Sequence, residues 1–561
     1  MLAQWFGAGA LSVPLLLWAG SIPGAYLATG DRIWPKAGVV AAALLLVLFL
    51  YANRTAAASR RHGIEQRTAR NAMIESSLGD IDARFTAASS RGGGRELDLA
   101  TLRHLQHSFD MALQPPSDWS WFTRIDQFQT SALRYQVYEI MYALGTYQGI
   151  YTPNAHAYVS EAFRRIIARS LTPDVLGFWK WESLLGRFSA DFDPVLHDNI
   201  MVTGFLLQGL MLYTANTGDE RYCRKNSVRF QVTSDRTYAY DLHSIRDSVL
   251  HQWQASPFCL FACEPNWIYT PCNFQGLTGS RLYDRYFGSS GTDVLMPVFE
   301  ESLCRNFSET NGSILPIRSE LTGFTIPGLC GALGDLTVVM FARGTINHLS
   351  RRFWAIFLGE KVVFDRETGQ LSLTGLVGAD KMDAGNYTPS DYAIYPHLAQ
   401  AAGEYGDKDL RAAALKKCYD GFGQITTPTG ATCLDPAKAS TATNLSVLRA
   451  ELMQGGDWRD LITKGPPPTA LSGPILSHAP YPGVLIAKAY SNDSVDLDMV
   501  LYPSGDSGTF SLTVSRLQPG KTYSFPTETT VADEMGDATF SVLVNGRTHV
   551  HLVLTDAEDT E

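Results

Sequence analysis

Apolar residues recur at three- and four-residue intervals through most of this chain, and the pattern changes character near each end. Leu102 to Phe109, Tyr135 to Tyr147, Ala157 to Ile167, Asn199 to Thr214, Ile245 to Trp253, Leu333 to Leu349, Ala393 to Ala402 and Leu410 to Cys418 read as helices. Turn-forming clusters separate them, at Tyr151-Thr-Pro-Asn, Thr217-Gly-Asp, Gly288-Ser-Ser-Gly and Tyr405-Gly-Asp-Lys-Asp. Roughly ten to twelve helices in consecutive antiparallel pairs predict an α/α toroid with a pocket at its mouth, although an open solenoid would show the same count. After Gly465-Pro-Pro-Pro468 the period becomes two: Val495 to Leu501, Phe510 to Val514, Phe540 to Val544 and Val550 to Leu554 alternate. With Asn545-Gly as a hairpin turn, this end predicts a small antiparallel β-sandwich, an accessory module.

The N-terminus has a third character. Residues 5–28 carry no charge, and neither do residues 37–52. The first run is long enough to span a bilayer, and Trp34 and Tyr51 extend the second at the interface. No basic residue precedes the first run, which argues against a cleaved signal peptide. The pattern predicts a transmembrane helical hairpin touching membrane lipid through residues 5–52. Arg54, Arg60, Arg61, Arg67 and Arg70 follow the second span, whereas the intervening loop has only Arg32 and Lys36. The positive-inside rule then places the remainder on the cytoplasmic face. Six Asn-x-Ser/Thr triplets are a counter-signal, of a kind that arises often by chance. The expected organisation is two transmembrane helices in 1–52, a stalk and linker in 53–95, a toroidal catalytic domain in 96–465 and the β module in 470–561, a mainly α fold overall.

Composition narrows the function. A net charge of −10 and the lack of a basic run beyond the N-terminal arginines argue against a nucleic-acid partner. Eight cysteines in 561 residues are not a disulfide scaffold. Two of them stand out, in Cys263-Glu-Pro-Asn-Trp-Ile-Tyr-Thr-Pro-Cys272-Asn273. The spacing is too long for one helical face and is not that of a zinc or redox site. It suits a helix ending near Cys263, a loop, and a second helix opening at Cys272, so that both sulfurs look into one pocket. A thiol at a helix N-terminus has its thiolate favoured. The alternative is two small buried hydrophobes, and Cys259 would then share a helical face with Cys263. His104, His107 and Asp110 share another face, more simply a polar surface than a metal site. His549 and His551 read as surface residues, and Glu182 and Asp193 as caps or solvated charges. Trp119, Trp121, Trp179, Trp181 and Trp267 line a pocket or pack the core.

Three segments carry a resemblance: Asp193-Pro with Asp198-Asn-Ile-Met201-x-x-Gly204, Gly218-Asp-Glu-Arg-Tyr222, and Cys263-Glu-Pro with Cys272-Asn273. With Ala402-Gly-Glu-Tyr-Gly-Asp407 they resemble the linalool dehydratase/isomerase family over about residues 100–455. That resemblance implies an α/α-barrel enzyme that isomerises and dehydrates terpene alcohols without a metal or organic cofactor. It implies Cys263, Cys272 and Asp110 as catalytic residues. Phe205, Glu264, Trp267 and Leu333 are expected to line the substrate site. The chain departs from the family pattern where Pro116 and Leu333 replace tyrosines, Phe205 replaces a histidine and Ser120 replaces a disulfide cysteine. Loss of that cysteine agrees with a reducing compartment. A more apolar pocket suits a bulkier hydrophobic small molecule, a sesqui- or diterpenoid reaching it from the membrane. The family assembles as rings, so a homo-oligomer is a further implication. Two other functions compete: a polysaccharide lyase or glycosidase with two carboxylates across a cleft, and a non-catalytic binder of an apolar ligand.

Overall fold

The computed structural model describes residues 12–30, 34, 36–89, 94–326, 328–525 and 528–555. Among them, an inner ring of helices is formed by Leu133–Ile150, Ile200–Thr217, Thr270–Phe287, Gly331–Phe341, Tyr395–Glu404 and Thr441–Leu452. Each packs on the next and the last returns to the first, so the toroid closes. Outside it lie Leu99–Leu113, Ala157–Ser170, Leu242–Ala255, Gly291–Asn306, Asn347–Lys361 and Lys408–Phe422. Helix Ile200–Thr217 shows why a ring forms: it is buried along its whole length, as a helix apolar on all sides must be. It meets Thr270–Phe287 almost backbone to backbone, since a Cβ on Gly204 would stand 2.8 Å from the Cα of Gly276. The glycine of the Ile-Met-x-x-Gly motif therefore sets the distance between two inner helices.

Because each inner helix is followed by an outer one running back, the inner N-termini gather at one end of the ring. The short helix Asp457–Thr463 plugs the opposite end. Leu461 lies against Gly149 and Ile462 against Gly344. Glu404 accepts from the backbone N–H of Trp458 at 2.9 Å and from Arg343 at 3.1 Å. The Gly-Glu-Tyr-Gly-Asp segment thus serves the plug, with Asp407 capping the helix that follows.

At the N-terminus, Ser12–Thr29 is helical, and Ala37–Ser89 is one continuous helix. Residues 5–11 of the first apolar run lie outside the described residues. The first part of the long helix is long and apolar enough to cross a membrane, and Leu44 to Leu50 are exposed. Its later part, read from sequence as a stalk, packs along the toroid. Arg70 clasps both oxygens of Glu360 at 2.6 and 2.9 Å, Ile74 and Ile81 are buried, and Phe85 lies under the guanidinium groups of Arg343 and Arg459.

The C-terminal strands form a three-stranded and a five-stranded antiparallel sheet. Phe525 and Phe540 meet between them at 4.5 Å. Asn154 ties this region to the toroid, donating to the carbonyls of Ala470 and Pro474 at 2.7 and 2.8 Å and accepting from Ser491 N–H at 3.0 Å.

Candidate active site

The cysteine segment does not start from a helix end. The preceding helix stops at Ala255, Pro257 follows, and Cys259 adopts a left-handed backbone conformation, so Cys259 shares no helical face with Cys263. Cys263 instead sits in a tight reversal: its N–H donates to the carbonyl of Trp267 at 2.8 Å, and Trp267 N–H donates to that of Glu264 at 2.9 Å. Strand Trp267–Tyr269 then pairs with Ile317–Ser319 and leads into helix Thr270–Phe287, with Cys272 in its first turn. The two sulfurs do converge. They are close enough for Cys272 to act directly on the protonation of Cys263, and both are free thiols.

Two asparagines of the motifs hold this geometry. Asn273 accepts from the Trp253 indole at 2.8 Å and from Phe261 N–H at 3.2 Å. It donates to the carbonyls of Phe261 and Tyr269 at 3.0 and 2.9 Å. The Cys263 loop is thereby pinned to the Cys272 helix. Asp198 and Asn199 are both left-handed, a conformation these residue types tolerate. That bend lets Asn199 N–H reach the Cys263 carbonyl at 3.0 Å.

Around the sulfurs stand groups with strongly perturbed protonation. Burial pushes the Cys263 thiol well above its ordinary range, and the neighbouring Cys272 adds to the shift. This thiol keeps its proton. Cys272 and Phe205 remain 8% and 7% exposed, whereas Cys263 is 1% exposed, so Cys272 fronts the accessible space and Cys263 backs it. Phe205 lies against the rings of Tyr135, Tyr138 and Tyr142 at 5.6, 5.5 and 6.5 Å. The hydroxyl of Tyr138 has no partner among the described residues.

Behind the Cys263 turn lies a buried charge cluster that sequence reasoning missed. Glu182, expected as a cap or solvated charge, is 1% exposed, and neither of its carboxyl oxygens has a partner among the described residues. Glu264 is buried with one oxygen unpartnered. Arg134 is fully buried, with its guanidinium on the carbonyl of Phe128 at 2.9 Å and over the ring of Phe178 at 4.1 Å. Desolvation raises Glu264 to about 8 and Glu182 well above the carboxylate range; Arg134 opposes both shifts. The role of Glu182 was not visible in sequence: a lone Glu in Phe-Trp-Lys-Trp-Glu resembles an ordinary helix-face charge.

The other expected residues fall elsewhere. Asp110 is not brought to the thiols. It lies on an outer helix, where its carboxylate accepts from Thr429 at 2.6 Å and from the Tyr481 hydroxyl of the C-terminal region. His104 is held by Glu451 and Asn444 at 2.7 and 3.0 Å, and His107 lies edge-on to Trp121, so these three do not converge. Leu333 opens an inner helix at the mouth, its N–H on Asp380 at 2.8 Å. Trp267 is buried under the Cys263 turn, and Asp193 shapes its loop by accepting from Val195 N–H at 2.8 Å. His549 and His551 pair with Asp498 and Asp496 on the sheet surface.

The family model described as linalool dehydratase/isomerase matches residues 134–440, more than half of the chain and all of the thiol site. The chain belongs to the linalool dehydratase/isomerase family. Asp110 and Pro116 lie before the matched stretch, whereas the thiols, Phe205, Glu264 and Leu333 lie within it. Among curated proteins, none matches. Solved structures with some likeness include an unsaturated glucuronyl hydrolase from a Bacillus species (11% identity, 63% of this chain and 94% of that one, TM-score 0.36). An α-1,6-mannanase of Salegentibacter is another (10% identity, 64% and 98%, TM-score 0.37). A β-L-arabinofuranosidase of Geobacillus stearothermophilus covers more of this chain (11% identity, 81% and 76%, TM-score 0.28). At these scores they carry no weight on the activity of this member of the linalool dehydratase/isomerase family.

Proposed function

We propose that this protein is a membrane-anchored lyase or isomerase acting on an apolar terpenoid allylic alcohol. The observation that carries the reading is the pair of neighbouring free thiols, walled by Phe205 and the tyrosines inside the family's matched segment. The two apolar N-terminal segments would form the anchor, with the toroid on the cytoplasmic side as the arginine excess after the second suggests.

In this mechanism the Cys272 proton passes to the substrate hydroxyl, and the C–O bond breaks with its electron pair leaving in water. The Cys263 S–H, donated to the Cys272 sulfur, stabilises the thiolate left behind. The faces of Phe205, Tyr135 and Tyr138 stabilise the allylic cation. The thiolate then takes a proton from the neighbouring carbon, which closes the double bond and restores the thiol. Return of water to the other end of the allylic cation, with the proton going back to Cys272, would give isomerisation. The protonated Glu182 and Glu264 keep negative charge away from the forming thiolate.

Product analysis by gas chromatography–mass spectrometry tests this, with the full chain in membranes supplied with mono-, sesqui- and diterpene allylic alcohols. A new alkene or isomer is expected from at least one, and no turnover of any of them overturns the reading. A second expectation follows from Glu264. As pH rises through about 8 its carboxyl ionises and opposes the thiolate, so the rate should fall there. Glu264→Gln should flatten that alkaline limb while retaining the neutral-pH rate to within about tenfold, a loss well below that of a direct acid–base group. An unchanged limb in this variant would remove Glu264 from the site.

A further inference from the structure

An apolar rim stands over the thiol site. Phe188 and Leu321 are 79% and 76% exposed, and Leu196, Phe324 and Leu329 are also exposed. These residues come from loops that touch one another through the site. Arg187 pairs with Asp198, next to the asparagine that holds Cys263. The side chain of Asn266, in the Cys263 turn, accepts from the N–H of Leu321 at 3.0 Å and from Ser319 at 2.7 Å. Gly328 N–H donates to Glu309 at 2.8 Å, which ties Leu329 to the Thr310 loop. Large apolar side chains exposed together on linked loops mark a surface made for another apolar phase.

The two N-terminal helices meet the toroid at the two ends of this rim. The Ser12 hydroxyl donates to the Leu185 carbonyl at 2.7 Å, three residues before Phe188. The long helix first touches the toroid where Gly63 meets Thr310 and Asn311, beside the Leu329 loop. Toward its N-terminus it carries exposed Arg60, Arg61 and Arg54, and then the bare apolar stretch from Tyr51 to Val39. Basic residues followed by an apolar helix are the order of groups that an anionic headgroup layer and the hydrocarbon beneath it would match.

We propose that the rim of Phe188, Leu196, Leu321, Phe324 and Leu329 sits in the interface of an anionic bilayer and admits an apolar substrate from the lipid directly to the thiols. This rests on the membrane reading above and adds the entry route. Because the site lies between the feet of its own anchor, the substrate need not cross water. Depth measurement by spin label tests it without any turnover. In a Cys304→Ser background, which removes the exposed native thiol, nitroxides would be placed through Leu321→Cys or Phe324→Cys. Leu48→Cys reports on the apolar helix, and Leu543→Cys on the far β region. With the full chain in phosphatidylcholine–phosphatidylglycerol vesicles, relaxation by oxygen should exceed that by a water-soluble nickel chelate at 321, 324 and 48. The order should reverse at 543. Nickel dominance at 321 and 324 with oxygen dominance at 48 would overturn the rim proposal alone. Nickel dominance at 48 as well would overturn the anchor reading beneath it.

Discussion

Alanine at Cys272 should lower turnover by roughly 10²–10⁴-fold, the usual contribution of a positioned acid–base group. Cys272 fronts the accessible space, so its loss removes both the proton given to the leaving oxygen and the base that finishes the reaction. Cys263→Ala should cost less, on the order of 10–10²-fold, because in this reading that thiol only donates to the Cys272 sulfur; truncating a supporting hydrogen bond forfeits part of the stabilisation of a charged acceptor. The double variant should be no slower than Cys272→Ala, since residues acting as one unit are not additive. Product formation per enzyme in membranes, with apparent Tm as a folding control, separates these cases. If Cys272→Ala turns over at the wild-type rate, the pocket works by holding a reactive conformer. If the larger loss falls on Cys263, the order of the two thiols is reversed.

The helix pairs were legible because turn clusters separate the apolar-periodic segments, but their closure into a ring was not, since an open solenoid shows the same count. The cysteine pair was legible as a pair but not as a shape. Nothing in the residues from Ser256 to Cys263 announces that Cys259 turns left-handed or that Cys263 lies in a reversal, because tertiary bonds from Asn273 and Asn199 impose both. The buried cluster of Arg134, Glu182 and Glu264 was invisible for a related reason: its residues come from three separate segments, and charge pairing across a fold leaves no periodicity in any of them. Asp110 shows the opposite case. It was placed at the site through the resemblance alone, outside the family's matched stretch, and its partners Thr429 and Tyr481 are far away in sequence. The Gly-Glu-Tyr-Gly-Asp motif supported the resemblance yet serves the closed end of the ring rather than the mouth.

That closed end should be the most sensitive point for stability. Glu404 and Arg343 are both essentially out of water, and the carboxylate also holds the N–H groups of Trp458 and Arg459 in the first turn of the plugging helix. Arg343 in turn bonds Asn347 and lies over the rings of Phe85, on the long N-terminal helix, and Tyr405. Arg343→Met strands a buried carboxylate and should destabilise the toroid by about 3–5 kcal/mol, as removing one partner of a buried pair does. Arg343→Met with Glu404→Leu should recover part of this, because no unpaired charge remains. The pH dependence has a definite sign. Burial raises Glu404 from 4.5 to about 7 despite Arg343, so between those values the folded chain holds a proton that the unfolded chain has released. Its contribution is complete below about 4.5 and is lost as pH rises through about 7. Apparent Tm of the detergent-solubilised full chain should therefore carry a downward slope over that window. Glu404→Gln should lessen the slope, and an unaltered slope would show that the plug is not where the ring's stability is coupled to protons.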